Sequence, residues 1–141
     1  AIFRRRQVGI IYQFYNLIAI LNVQENIEIP LELDGRKADK KEMDEMLERL
    51  GLTHRRTHLP NELSGGQQQR TSIGRALITR PSLVLADEPT GNLDTKSSSE
   101  IMNLLKRSNH ELDQTIIMIT HNMELAKAAD RIIMIEDGKI K

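Results

Sequence analysis

Apolar residues recur along this chain at two different spacings. Val8 to Tyr12 is a short, β-branched-rich run, the pattern of a buried strand. From Ala38 to Leu50 the spacing changes, and Met43, Met46, Leu47 and Leu50 fall on one helical face, with Glu45 and Arg49 as an i,i+4 pair. Asp39 with Glu42 predicts a capping box at the start of that helix, and Gly51 a C-terminal stop. Asn22 to Leu33 is broken by Pro30, which predicts helix in its first part and loop afterwards. Ser64 to Arg80 predicts another helix, with Ser64 as N-cap and Gln67 three residues on.

Past residue 80 the pattern alternates regularly. Ser82 to Ala86 reads as a fully buried strand, Thr95 to Ser108 as a helix with Ile101, Leu104 and Leu105 on one face, and Thr115 to Thr120 as a second buried strand. A short helix from Met123 to Ala129 precedes a strand from Arg131 to Glu136 and a turn at Asp137-Gly138. Strand and helix in alternation predict an α/β domain with a mostly parallel sheet. The mainly helical stretch from about 22 to 80 is expected to form a subdomain inserted in it. Residues 1–21 and 81–141 would then make the α/β core of a single domain.

Composition narrows the classes. The 141 residues are 39% hydrophobic and 28% charged, which is ordinary for a globular protein. Twenty basic residues balance twenty acidic ones, so nothing points to a nucleic-acid partner, and Arg4-Arg5-Arg6 reads as a solvated patch. There is no cysteine, hence no disulfide or thiolate chemistry. The apolar runs are too short to span a bilayer, and no signal-peptide pattern is visible. The six methionines read as core packing. His54 and His58 have the spacing of zinc ligands on a helix, but they fall in an expected loop with no Cys or carboxylate to complete a site. Beginning at Ala1, almost on a strand, the chain reads as the later part of something longer.

Three segments carry chemistry. In Ser64-Gly65-Gly66-Gln67, two glycines at a helix start let backbone N–H groups approach an anion, and the helix N-terminus favours negative charge. Alone, the same residues also describe an ordinary capped helix. Asp87 and Glu88 end an apolar strand, where ligands of open α/β sheets bind. An Asp there can hold Mg²⁺ through oxygen, and a neighbouring Glu can orient or deprotonate water. Alone, the pair also describes solvated carboxylates. His121 and Gln13 each close a strand, and each is unremarkable by itself.

The order of these segments changes their weight. Leu63-Ser-Gly-Gly-Gln-Gln-Gln-Arg70 resembles the signature motif of the ATP-binding-cassette (ABC) ATPases, and Leu83-Val-Leu-Ala-Asp-Glu-Pro-Thr90 resembles their Walker B strand. Asn92-Leu93-Asp94 and His121 follow where that family keeps its D-loop and switch histidine. Ala86 to Asp94, Tyr15-Asn16-Leu17 and the Glu25-Asn26-Ile27 to Pro30 stretch are similar to the branch serving macrolide efflux, lipoprotein release and bacitracin-type peptide resistance, the last being the preferred neighbour.

The resemblance implies a P-loop NTPase core with an inserted helical subdomain, ATP and Mg²⁺ as ligands, and two ATPase subunits closing head to tail. Ser64, Gly65, Gly66 and Gln67 would contact the γ-phosphate of ATP bound on the opposite subunit. Gln13 and Asp87 would serve Mg²⁺, Glu88 would be the catalytic base, His121 would hold the γ-phosphate, and Asp94 would link the two sites. A transmembrane permease would be the second partner, with Tyr15, Leu17 and Ile18 as candidate contacts. The protein would then be cytoplasmic, peripheral on the inner face of the membrane.

One part of the family pattern is missing. A Walker A loop needs Gly, four residues, Gly-Lys and Ser or Thr. Gly138-Lys139 is followed by Ile140, and Gly35 by Arg36. The chain is therefore expected to lack roughly the first third of such a domain, to be truncated at its N-terminal side, to bind ATP poorly and to expose a flank of its sheet. Two further readings remain: a non-hydrolysing module that offers its signature and coupling surfaces to partners, and a soluble cassette ATPase of translation or repair, against which Gly91-Asn92-Leu93-Asp94 and the balanced charge weigh.

Overall fold

A computed structural model describes residues 7–141. The Arg4-Arg5-Arg6 patch lies outside the described residues. Strands β1 (Val8–Ile11), β2 (Leu83–Asp87) and β3 (Thr115–Ile119) form a parallel sheet in that order. Val8 pairs with Leu83 and Leu83 with Thr115, so the register runs straight across. Between β1 and β2 lie helices α1 (Val23–Leu33), α2 (Lys40–Leu50) and α3 (Gly65–Leu77), with short 3-10 turns at Thr53–Arg55 and Pro60–Glu62. Helix α4 (Thr95–Glu111) crosses from β2 to β3. After β3 come α5 (Met123–Ala126) and a two-stranded hairpin, β4 (Ile135–Glu136) with β5 (Lys139–Ile140).

Local chemistry explains most boundaries. Asp39 accepts from the Glu42 amide at 2.7 Å, which is only half of the expected capping box, and Gly51 closes α2 in the left-handed region at φ 68°. Ser64 and Gln67 form the full reciprocal box of α3. Asp137 and Gly138 both have positive φ, which a two-residue hairpin turn of type I′ requires.

Helix α3 organises the interior. It packs on α1, α2, β1 and α4, and its Ile73 and Leu77 are fully buried. Val84, Ala86 and Ile11 face it from the sheet, while Ile101, Leu104 and Leu105 come from α4. Burying each large aliphatic side chain contributes about 1.5–3 kcal/mol.

Several expectations are corrected. The helix containing Pro30 does not stop there but continues to Leu33. An interior proline costs about 3 kcal/mol. That is offset by the Asn22–Glu25 capping box and by burial of Val23, Ile27 and Leu31, and only the last turn lies beyond the ring. The Glu45–Arg49 pair does not form, because Arg49 reaches across to Glu111 of α4 at 2.5 Å. Strands β2 and β3 are not buried on both faces. Leu85, Ile117 and Ile119 are exposed on the face opposite α3 and α4. Arg131 to Met134 is not strand, and only Ile135–Glu136 pairs, with its own hairpin partner. Ile132, Ile133, Met134 and Ile135 are exposed, and so is Met123. An apolar run becomes a sheet strand only by pairing with a ladder edge, and this one pairs with the hairpin alone, not with the β1–β2–β3 sheet. Among the described residues, no helix is long and apolar enough to cross a membrane.

Candidate functional site

The carboxyl ends of the three strands lie side by side, and chain reversals there gather side chains from distant sequence. Glu88 follows β2 with φ 45°, a left-handed conformation that costs a non-glycine residue about 1–3 kcal/mol. It is held by its own amide donating to Ile119 O at 2.9 Å and by the Gly91 amide donating to its carbonyl at 3.0 Å. This kink turns the carboxylate toward the end of β3. Glu88 Oε1 accepts from the His121 amide at 2.9 Å and lies 3.3 Å from His121 Nε2. The Glu88 side chain is 17% exposed and that of His121 97%, so a sheltered carboxylate stands beside an open imidazole.

Gln13 joins the same cluster from the loop after β1. A β-carbon at Gly91 would sit 2.7 Å from Gln13 Nε2, so the absence of a side chain there lets Gln13 close in. The Gln13 carbonyl accepts from Asn92 Nδ2 at 3.2 Å. Asp87 is the last residue of β2 and alternates with Leu83 and Leu85 onto the open face.

The other predicted residues form a second cluster. Ser64 and Gln67 are engaged in the α3 cap, Gly65 lies against the Tyr15 hydroxyl and Leu93, and Gly66 against Ser97. Asp94 caps α4 by accepting from the Ser97 amide at 2.7 Å, a bond that holds its carboxyl below the usual range. The N-termini of α3 and α4 therefore lie together, beside Tyr15. Partial burial pushes the Tyr15 phenol pKa up. Among the described residues, no group of three or more His, Cys, Asp or Glu is placed to hold an ion.

Three polar residues that tie down the neighbouring backbone were given no role by sequence reasoning. Gln69 is fully buried, and its Nε2 donates to Tyr12 O at 3.1 Å and to Pro89 O at 2.6 Å. Arg75 donates to Tyr15 O at 2.8 Å and Asn16 O at 2.6 Å, and desolvation there draws its pKa down. Asn26, also buried, accepts from Ile18 N and donates to the Ile18, Leu21 and Asn22 carbonyls, fixing the turn that follows. A signal existed for Gln69. It falls on the stripe Gly66, Gln69, Ile73, Leu77, at core spacing on α3.

Carboxylates at the carboxyl end of a parallel strand, facing a histidine from the next strand, belong to an α/β architecture of the P-loop nucleotide-hydrolase class. The ABC transporter family matches residues 2–91. The chain belongs to that family. It is 45% identical, over 99% of its length and 61% of the relative's, to the lipoprotein-releasing system ATP-binding protein LolD of Pseudoalteromonas translucida (strain TAC 125). It is 49% identical, over 99% of its length and 63% of the relative's, to an uncharacterised ABC transporter ATP-binding protein of Methanocaldococcus jannaschii. Its fold matches the ATP-binding cassette MJ0796, solved as a dimer in a post-hydrolysis state bound to ADP and Pi. That match has a TM-score of 0.84 at 41% identity, covering 99% of this chain and 62% of that one. The chain thus spans about three-fifths of the length of the relatives it matches.

Proposed function

We propose that this chain carries the signature, Walker B, D-loop and switch-histidine portion of an ATP-hydrolysing subunit that drives a membrane transporter. The observation that carries the proposal is the contact of Glu88 with His121, beside Gln13 packed on Gly91. Glu88 takes a proton from the attacking water as the water oxygen bonds to the γ-phosphorus and the bond to the ADP oxygen breaks. His121, open to solvent, holds the γ-phosphate and the water in line. Gln13 and Asp87 offer oxygen donors suited to Mg²⁺, a hard ion that keeps several waters and takes others of its ligands from phosphates. When bound, the ion neutralises charge developing on the phosphate oxygens. The phosphate loop comes from the part of the relatives' length that lies beyond this chain's span.

Ser64, Gly65, Gly66 and Gln67 sit at a separate cluster from Glu88 and His121. In the proposal they serve ATP on a second copy, with Asp94 bridging the two sites, so the working unit is a head-to-tail dimer. The relative solved as a dimer with ADP and Pi supports this reading. Within the domain, residues 22–80 act as the helical subdomain, and Tyr15, Leu17 and Ile18 face a permease helix at the inner membrane surface. Export, either of lipid-linked cargo or of antimicrobial peptides, is the transport direction that the branch resemblance and the relative named LolD favour. The second reading, a module that does not hydrolyse ATP by itself, is favoured for these 141 residues alone by the lack of a Gly-x-x-x-x-Gly-Lys-Ser/Thr pattern within them.

The test is Glu88→Gln in the complete subunit. Turnover is expected to fall by at least about 100-fold, the scale of a lost general base, while ATP-dependent dimerisation persists. Retained turnover would remove Glu88 from its role.

A further inference from the structure

The ladder between β1 and β2 ends at Ile11 and Ala86. Gln13 and Glu88 both lie beyond that end, where no strand pairing fixes the distance between them. Two side-chain amides span the gap. Asn92, exposed, donates to the Gln13 carbonyl at 3.2 Å. Gln69, fully buried on α3, donates to the Tyr12 carbonyl just before Gln13 and to the Pro89 carbonyl just after Glu88.

The residue type follows from these two bonds. Both partners are carbonyl oxygens, so the nitrogen end of the amide must face them, and both of its hydrogens are used. The Gln69 Oε1 atom is buried without a hydrogen-bond partner among the described residues. An apolar side chain of similar length would fill the same space on the Ile73–Leu77 stripe and remove that orphaned oxygen, but it would leave the Tyr12 and Pro89 carbonyls without this donor. The amide is therefore explained by donation, not by filling the core.

We propose that Gln69 is a positioning residue for the hydrolysis described above, setting the spacing of Gln13 and Glu88 from the signature helix. Because Gln69 lies about one turn into the helix that begins at Gly65, any shift of that helix on closure of the dimer is transmitted to both strand ends. The inference rests on the ATPase reading of the Glu88 site.

Its test is steady-state ATP hydrolysis by the complete subunit carrying Gln69→Met or Gln69→Glu, with Glu88→Gln in parallel. For Gln69→Met, kcat is expected to fall by about 10- to 100-fold, the cost of misplacing groups by around an ångström. The KM for ATP should stay within about twofold, since the phosphate loop is untouched. A merely structural role would lower the melting temperature and leave kcat per folded molecule unchanged, and that result would overturn the proposal. Gln69→Glu keeps the shape but must be protonated to donate to a carbonyl, and its surroundings favour the protonated form. Its turnover relative to wild type should rise as the pH is lowered. A flat ratio sinks the proposal even if Gln69→Met fails to fold. An active Glu88→Gln would refute the catalytic assignment of Glu88, whereas an inactive Glu88→Gln beside fully active Gln69 variants would refute the Gln69 role alone.

Discussion

A β-carbon at Gly9 would lie 2.5 Å from the Ala76 carbonyl oxygen, so β1 and α3 touch through bare backbone. Gly9→Ala must push the two elements apart, because the obstacle is main chain and cannot rotate away. Overpacking of this kind costs about 1–3 kcal/mol, and a lowered urea midpoint at an unchanged m-value would register it. An unaltered midpoint would contradict the contact. At this scale the sequence was a partial guide. Glu88, His121 and Gln13 were nameable because their order along the chain resembles a known series, and the structure sets them beyond the carboxyl ends of the three strands. Gln69 and Asn26 fell inside motif stretches and Arg75 inside a helix, and none was given a role, because a polar residue inside a helix is read first as solvent-facing. Only tertiary contact makes each a buried donor.

Helix α4 shows how single residues hold an element. Asp94 caps its start, and Glu111 at its end pairs with Arg49 of α2. The Ser97 amide lowers the pKa of Asp94, and the Arg49 guanidinium lowers that of Glu111. A carboxylate with a depressed folded-state pKa stabilises the fold above its unfolded pKa, and that contribution is lost as the pH falls through the folded value. Melting temperatures measured from about pH 7 down to about pH 3 should therefore fall across and below the ordinary carboxylate range. The Asp94→Asn, Glu111→Gln double variant should show a shallower acid limb. An identical limb would exclude both groups as its source. Elements governed by local chemistry were legible in advance: the Asp39 and Ser64 caps, the Gly51 stop, the Asp137-Gly138 turn. The strand expected at Arg131 to Glu136 was legible only in its last two residues, since strand pairing depends on a neighbour, and here only the hairpin arm Lys139–Ile140 supplies one.

Across the whole molecule, one face of the sheet is packed and the other is bare. Ile11, Val84 and Ala86 are buried under α3 and α4, while Leu85, Ile117 and Ile119 lie open, and among the described residues β3 ends the sheet with its outer edge unpaired. Alternation predicted the parallel sheet correctly, but it could not say whether a second layer covers it, because burial belongs to the assembled domain. Relatives are longer by roughly two-fifths of their own length, and in the present account that length contributes the phosphate loop. The most direct test is calorimetric titration of Mg-ATP into this 141-residue chain and into one extended through a Gly-x-x-x-x-Gly-Lys-Ser/Thr loop. The account predicts binding in the region of micromolar Kd for the extended chain, about −8 kcal/mol, and none of comparable strength for the shorter one. Micromolar binding to the 141 residues alone would contradict it, and would require a phosphate cradle elsewhere in the fold.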